Sequence, residues 1–189
     1  MTELVNIVMV LDSSGSMQPL KSDTISAHNT FLSNQQEFKG QASYSLYMFS
    51  SGVSQSSTLP IEKAQPLNNF NYRPGGGTAL YDAIGKAISL HVKSGTSGVL
   101  AILTDGEENS SILYNKEQVA AMIKDAEDIY GWEVMFLGAN ISNFTSFTSS
   151  LNIKADKAMM FTADSHGIAK SFGNISCSTT AYRTAKLGA

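Results

Sequence analysis

The stretch "VNIVMVLDSSGSM", residues 5–17, decides how the rest of the chain is read. Val5 to Leu11 are apolar except for Asn6, with no polar alternation. A short unbroken apolar run of this kind marks a strand covered on both faces, as in a parallel sheet flanked by helices. The run ends at Asp12, and Ser13, Ser14, Gly15 and Ser16 follow at once. A strand end that gathers hydroxyls around a carboxylate is a candidate oxygen-donor site.

Outward from there, short apolar runs alternate with amphipathic stretches. Helical spacing of Leu20, Ala27, Phe31 and Phe38 predicts a helix over about 19–38, stopped by Gly40. "ASYSLYMF", 42–49, reads as a strand, and a hairpin turn at Ser50–Gly52 leads into a polar edge strand over about 53–59. Residues 60–77 hold three of the four prolines, end in "RPGGG" and read as a loop with one short helical turn. A helix is predicted over 79–93, a buried strand over 99–104 and a helix from about Asn115 to Tyr130. Asn115 and Gln118 stand at capping-box spacing, with Val119, Met122, Ile123, Ala126 and Ile129 facing inward. "EVMFLG", a helix near 141–150, "KAMMFT" and a last helix over about 164–183 complete the series.

Strand–helix alternation of this kind predicts a doubly wound, mostly parallel α/β sheet in one domain over 1–189, with helices on both faces and one antiparallel edge strand. Ligand sites in such sheets lie beyond the carboxyl ends of the strands, where the strand order reverses. "DSSGS", "TDGEENSS" and "GANIS" all fall at strand ends.

"DSSGS" after a buried first strand resembles the D-x-S-x-S pattern of the von Willebrand factor A domain. "GGGTALYDAI" is similar to that family's second loop, and "LTDGE" to its third. The chain looks like the short stand-alone members found in bacteria and their phages. The resemblance implies a metal-ion-dependent adhesion site built from Asp12, Ser14, Ser16, Thr78 and Asp105. It further implies a protein partner that offers an Asp or Glu carboxylate. Neutral hydroxyls coordinate a hard cation without neutralising it, so Mg²⁺ or Mn²⁺ is expected ahead of Ca²⁺, which prefers more carboxylates. The plain alternative for Asp12–Ser14 is a helix N-cap. Asp82 is expected to favour the start of its own helix, Glu108 to be solvated, and Asn140 to line the rim or act as a cap.

Other classes find less support. With 13 Lys+Arg against 16 Asp+Glu and no basic run, a nucleic-acid surface is not expected. A single cysteine, Cys177, rules out an internal disulfide and leaves a thiolate zinc site unsupported; it reads as a buried small hydrophobe. His28, His91 and His166 lie on three separate predicted helices, and Trp132 reads as packing. The sequons at Asn109, Asn140, Asn143 and Asn174 read as coincidence in a Ser- and Asn-rich chain. The N-terminal segment has neither a basic region nor a long apolar run, which gives the expectation of a cytoplasmic chain without a membrane span. The leading reading is a metal-dependent protein-binding module and not an enzyme. The second is a metal-assisted phosphohydrolase on the same topology, disfavoured because no G-K-[ST] occurs and Ser14 stands where a second nucleophile-loop aspartate would be.

Overall fold

The computed structural model describes residues 4–187; residues 1–3, part of the N-terminal stretch read for a targeting signal, and 188–189 lie outside the described residues. The strands are β1 (Val5–Asp12), β2 (Ala42–Phe49), β3 (Val53–Gln55), β4 (Leu59–Pro60), β5 (Ser97–Thr104), β6 (Glu133–Gly138) and β7 (Ala158–Met160). The α-helices are α1 (Lys21–Glu37), α2 (Leu80–His91), α3 (Lys116–Asp128), α4 (Phe144–Ser150) and α5 (Ser165–Leu187).

The sheet runs in the order β3-β2-β1-β5-β6-β7, with β4 also on β2. β1 pairs in parallel with both β2 and β5, and β5–β6 and β6–β7 are parallel as well. The chain moves outward from β1 to β2, then returns to β5 on the other side of β1. The reversal therefore falls between β1 and β5, and their carboxyl ends carry Asp12 and, one residue past Thr104, Asp105.

The central strands are buried on both faces, as the unbroken apolar runs require. Ile7, Met9 and Leu11 join Val99, Ala101, Leu103, Phe31 and Phe172 in the core under α1 and α5. Val8 and Val10 join Leu100, Ile102, Ile84, Val119 and Ile123 under α2 and α3. The Asn115–Gln118 capping box forms in both directions, each bond 2.9 Å long. Trp132 is buried in the α2/α3 core.

Three expectations are corrected. The polar edge strand is broken into β3 and β4, both antiparallel to β2. Between them Ser56 Oγ accepts the Leu46 N–H at 2.8 Å, so a side chain replaces part of the ladder. Ile129 follows the end of α3 and is 67% exposed, because the inward stripe closes at Ala126. Cys177 is exposed. Ile168, Phe172 and Ile175 set the inward phase of α5, and a residue two beyond Ile175 points away from it.

Two tyrosines of β2 point to opposite faces and each meets a histidine. Tyr47 O–H lies 2.9 Å from His91 Nε2, and Tyr44 O–H lies 2.7 Å from His28 Nε2. Asn29 takes the Leu67 N–H on Oδ1 and donates Nδ2–H to the Leu67 carbonyl, which fixes its amide orientation. His28 Nδ1, 3.1 Å from that oxygen, is then the donor, and Nε2 accepts from Tyr44. Burial pushes the His28 pKa down to about 4, against the Asn29 bond, which raises it. The unfolded chain, with an ordinary value near 6.5, takes up the proton first. Stability is therefore full above about pH 6.5 and falls as pH drops toward 4, by roughly 3 kcal/mol from this residue. Urea unfolding at pH 7 and pH 4.5 checks this, and His28→Phe flattens that part of the profile.

Candidate metal centre

Asp12 closes β1 opposite Phe49 and is fully buried. Its Oδ1 accepts the Ser14 N–H at 2.6 Å and its Oδ2 accepts the Thr104 hydroxyl at 2.6 Å. Its carbonyl accepts the buried Tyr72 hydroxyl at 2.7 Å. The carboxylate thus holds the first loop in its turn and ties β1 to β5. Burial pushes the Asp12 carboxyl up, and the bonds from Thr104 and Ser14 oppose that rise.

Ser14 Oγ and Ser16 Oγ lie 3.0 Å apart, and Ser16 Oγ donates to Asp105 Oδ1 at 2.5 Å. Asp105 is buried, which raises its carboxyl; the Ser16 bond lowers it, and the charge of Asp12 raises it further. The glycine-rich second loop lies directly on the first. The Gly75 N–H donates to Ser13 O at 2.8 Å, and the Gly15 N–H donates to Gly76 O at 3.0 Å. Gly76, with φ +79°, turns the chain there in the left-handed region that favours glycine. This stacking delivers Thr78, which is buried, to the start of α2. A methyl built on Gly106 would stand 3.8 Å from Ser16 Oγ and 3.9 Å from Thr78 Oγ1. Ser16, Thr78 and the residue after Asp105 therefore face one small space. All five sequence-predicted residues come together at the carboxyl ends of β1 and β5.

The third loop is more tightly built than its sequence suggests. Glu108 takes the Tyr81 N–H of the first turn of α2 at 2.9 Å and the N–H groups of Ser110 and Ser111 at 2.8 and 2.7 Å. The expectation of a solvated Glu108 is thus corrected: it caps α2 and closes its own loop. Asp82 reaches the same loop, accepting the N–H groups of Ile112, Leu113 and Tyr114 at 3.0, 2.8 and 2.9 Å. It stands in the first turn of α2, as expected, and from there its carboxylate also holds that loop. Asn140, with φ +53°, donates Nδ2–H to Asp105 O at 3.2 Å, which makes it a rim residue. Sequence reasoning missed Thr104 and Tyr72. Thr104 stood within "LTDGE" beside Asp105, and that adjacency was its only signal.

The donor set is two carboxylates and three hydroxyls. Among the described residues, no three His, Cys, Asp or Glu side chains converge in a way that could hold a metal ion. An all-oxygen set rich in neutral hydroxyls fits a hard divalent cation better than a soft one. His28 and His91 are engaged by tyrosines in the two cores.

A sequence profile of the von Willebrand factor type A domain matches residues 6–171. No curated protein matches the chain by sequence. Solved structures do. The vWF domain of the type V pili tip protein Mfa5 from Porphyromonas gingivalis superposes with a TM-score of 0.69 at 12% identity, covering 96% of this chain and 97% of that one. The pilus adhesin SpaC from Lactobacillus rhamnosus GG gives 0.72 at 16% identity, covering 94% and 31%. Proximal thread matrix protein 1 from the mussel byssus, with a zinc-occupied MIDAS motif, gives 0.67 at 15% identity, covering 95% and 46%. The chain thus spans less than half of the byssus protein and about a third of SpaC. These likenesses are of fold. They also correct the expectation of a cytoplasmic chain: the similar structures come from a byssus matrix protein and from pilus proteins, which are extracellular, and an N-terminus without a recognisable signal does not place the chain inside the cell. No helix among the described residues is long and apolar enough to cross a membrane.

Proposed function

The chain belongs to the von Willebrand factor type A domain family, and from that membership we propose that it binds a carboxylate-bearing protein partner through a divalent cation held by Asp12, Ser14, Ser16, Thr78 and Asp105. The observation that carries this reading is the convergence of the loops on two buried carboxylates, Asp12 accepting the Ser14 N–H and Asp105 the Ser16 hydroxyl, with the two serine hydroxyls 3.0 Å apart. Asp12 lies behind the hydroxyls, with both carboxylate oxygens already taken by Ser14 and Thr104. Its role is to orient the first loop and to add charge from below. Ser14, Ser16 and Thr78 contribute neutral oxygens, and Asp105 contributes the more forward charge. A bound cation supplies positive charge that this set leaves partly uncompensated and that an Asp or Glu of the partner completes. Mg²⁺ or Mn²⁺ suits the oxygen donors.

In this reading the domain works as a protein-contact module. The segments 50–57, which include β3, 68–78 and 106–114 then rim the donor set and carry the specificity. Phe70 and Ile112 stand on two of them, 82% and 89% exposed, as apolar contacts around a polar centre.

Titration calorimetry with Mg²⁺, Mn²⁺ and Zn²⁺ tests the reading. One site per chain is expected, with Mg²⁺ or Mn²⁺ bound and released by chelator. Absence of a saturable heat with all three ions would remove the cation from the proposal. Thr78→Ala is expected to weaken Mn²⁺ about tenfold or more with a urea midpoint close to wild type, because the loop's backbone bonds do not use its hydroxyl.

A further inference from the structure

The third loop holds the second by a contact that no motif announces. Asn109 Oδ1 accepts the Thr78 N–H at 2.8 Å, and the Asn109 N–H donates to the Thr78 carbonyl at 3.0 Å. One residue therefore grips both backbone polar groups of Thr78. Ser110 Oγ donates to Asn109 Oδ1 at 2.6 Å and lies 3.3 Å from the same Thr78 nitrogen, so the accepting side chain is itself held. The close approach depends on Gly77. A methyl there would overlap the Ser110 hydroxyl and come within 2.8 Å of Asn109 Oδ1. The Thr78 hydroxyl takes no part in these bonds.

From this geometry we infer that Asn109 is a positioning residue for Thr78, acting as a two-point backbone clamp that sets where the Thr78 hydroxyl stands in the donor set. The inference rests on the metal-binding reading above. The second loop carries three consecutive glycines at 75–77, which bonds from Gly75 and Gly76 to the first loop and from the Gly77 N–H to Ser51 Oγ hold at its base, while Thr78 itself is held by Asn109. The neighbours of Thr78 are anchored to Ser50 and Ser51, and the clamp adds the two bonds to its own N–H and carbonyl that set the tilt of its side chain toward Ser16. Partners that orient a ligand without touching the metal commonly change affinity by about 10–100-fold when removed. The clamp also links the second loop to the third, whose backbone Glu108 and Asp82 fix to α2. The position of Thr78 is thereby referred to the body of the domain.

The test uses two readouts on the wild type, Thr78→Ala, Asn109→Ala, Asn109→Asp and Gly77→Ala. Amide hydrogen exchange at residue 78, measured by NMR with chelator present, reads the clamp without any metal. Mn²⁺ calorimetry reads its consequence. Asn109→Ala is expected to speed exchange at Thr78 about tenfold, leave the Met9 and Ile102 amides protected, and weaken Mn²⁺ about tenfold. Asn109→Asp, which keeps the acceptor, is expected to restore the protection. Gly77→Ala, which removes no polar group, is expected to reproduce both losses by forcing the loops apart. Unchanged exchange at Thr78 in Asn109→Ala overturns the clamp. Faster exchange with unchanged Mn²⁺ affinity overturns the positioning role. If Asn109→Ala also exposes the core amides, Gly77→Ala decides, and wild-type Mn²⁺ affinity in that variant overturns the inference. Failure of the wild type itself to bind Mn²⁺ is the separate failure of the metal-binding reading. Wild-type binding weakened by Thr78→Ala but not by the clamp variants refutes the clamp alone.

Discussion

Asp105→Asn lowers Mn²⁺ affinity by at least about 100-fold and leaves the fold intact. The donor set contains only two carboxylates, so each is a large part of its charge. Two unit charges about 4 Å apart interact by ~4 kcal/mol at an effective dielectric near 20, and a divalent ion doubles that, so a loss of about 100-fold is a conservative expectation. The fold survives because asparagine keeps an oxygen where Ser16 Oγ donates. It also removes a carboxylate whose protonated form is favoured by burial and by the neighbouring charge of Asp12. The measurement is a pair of melting curves with and without Mn²⁺. At a hundredfold excess over Kd the wild type gains ~2.7 kcal/mol by mass action, and the variant gains no more than ~0.4 kcal/mol at the same concentration. Equal shifts in the two proteins would take Asp105 out of the site. Asp12→Ala is the less suitable probe, since it strands the buried Ser14 N–H and costs about 1–3 kcal/mol on its own account. Asp12→Asn avoids this: its oxygen faces Ser14, and its amide faces a Thr104 hydroxyl that can turn to accept.

Arg183→Ala destabilises the fold by about 3 kcal/mol, the largest expected effect away from the site. Arg183 is 2% exposed, and its charge is answered by carbonyl oxygens. Nη1 donates to Gln35 O at 2.7 Å and to Gln35 Oε1 at 3.0 Å, and Nη2 donates to Gly40 O at 2.9 Å. The guanidinium also lies 4.6 Å from the centre of the Phe38 ring. An α-helix ends with carbonyls that have no partner within it, and here α5 supplies a cation to the end of α1. Truncation removes the fork, leaves buried acceptors without donors and opens a cavity. Lysine is a poor substitute because its single ammonium cannot span acceptors arranged for a planar fork. Urea unfolding measures the loss, which corresponds to a drop in Tm of roughly 6–12 °C for a domain of this size. A midpoint indistinguishable from wild type would show that water satisfies those carbonyls equally well.

Much of this protein was legible from its residues alone. Unbroken apolar runs at 5–11 and 99–104 mark strands covered on both faces, and their alternation with helical stripes leads to a parallel, doubly wound sheet. The polar runs at the ends of those strands drew attention to the carboxyl edge of the sheet, and the set Asp12, Ser14, Ser16, Thr78 and Asp105 came from the resemblance of three loops to the von Willebrand factor A domain. The capping box at Asn115 was equally visible, since both partners lie within one turn of chain.

Tertiary structure alone decided the partners of groups that have no local periodicity. Asp82 and Glu108 looked like a helix-start charge and a solvated carboxylate. Each also satisfies backbone N–H groups of the 108–114 loop or of α2, up to 32 residues away in sequence. Arg183 meets carbonyls at the end of α1 across a separation of 148 residues. Asn109 read as part of a sequon, yet it grips Thr78. The physical reason is common to all four. Hydrophobic burial depends on which face a residue occupies, and the spacing of residues along the chain encodes that face. Hydrogen bonds between loops depend on which donors and acceptors the packed sheet leaves unpaired at its carboxyl edge and at its helix ends. That inventory exists only once the strands are side by side.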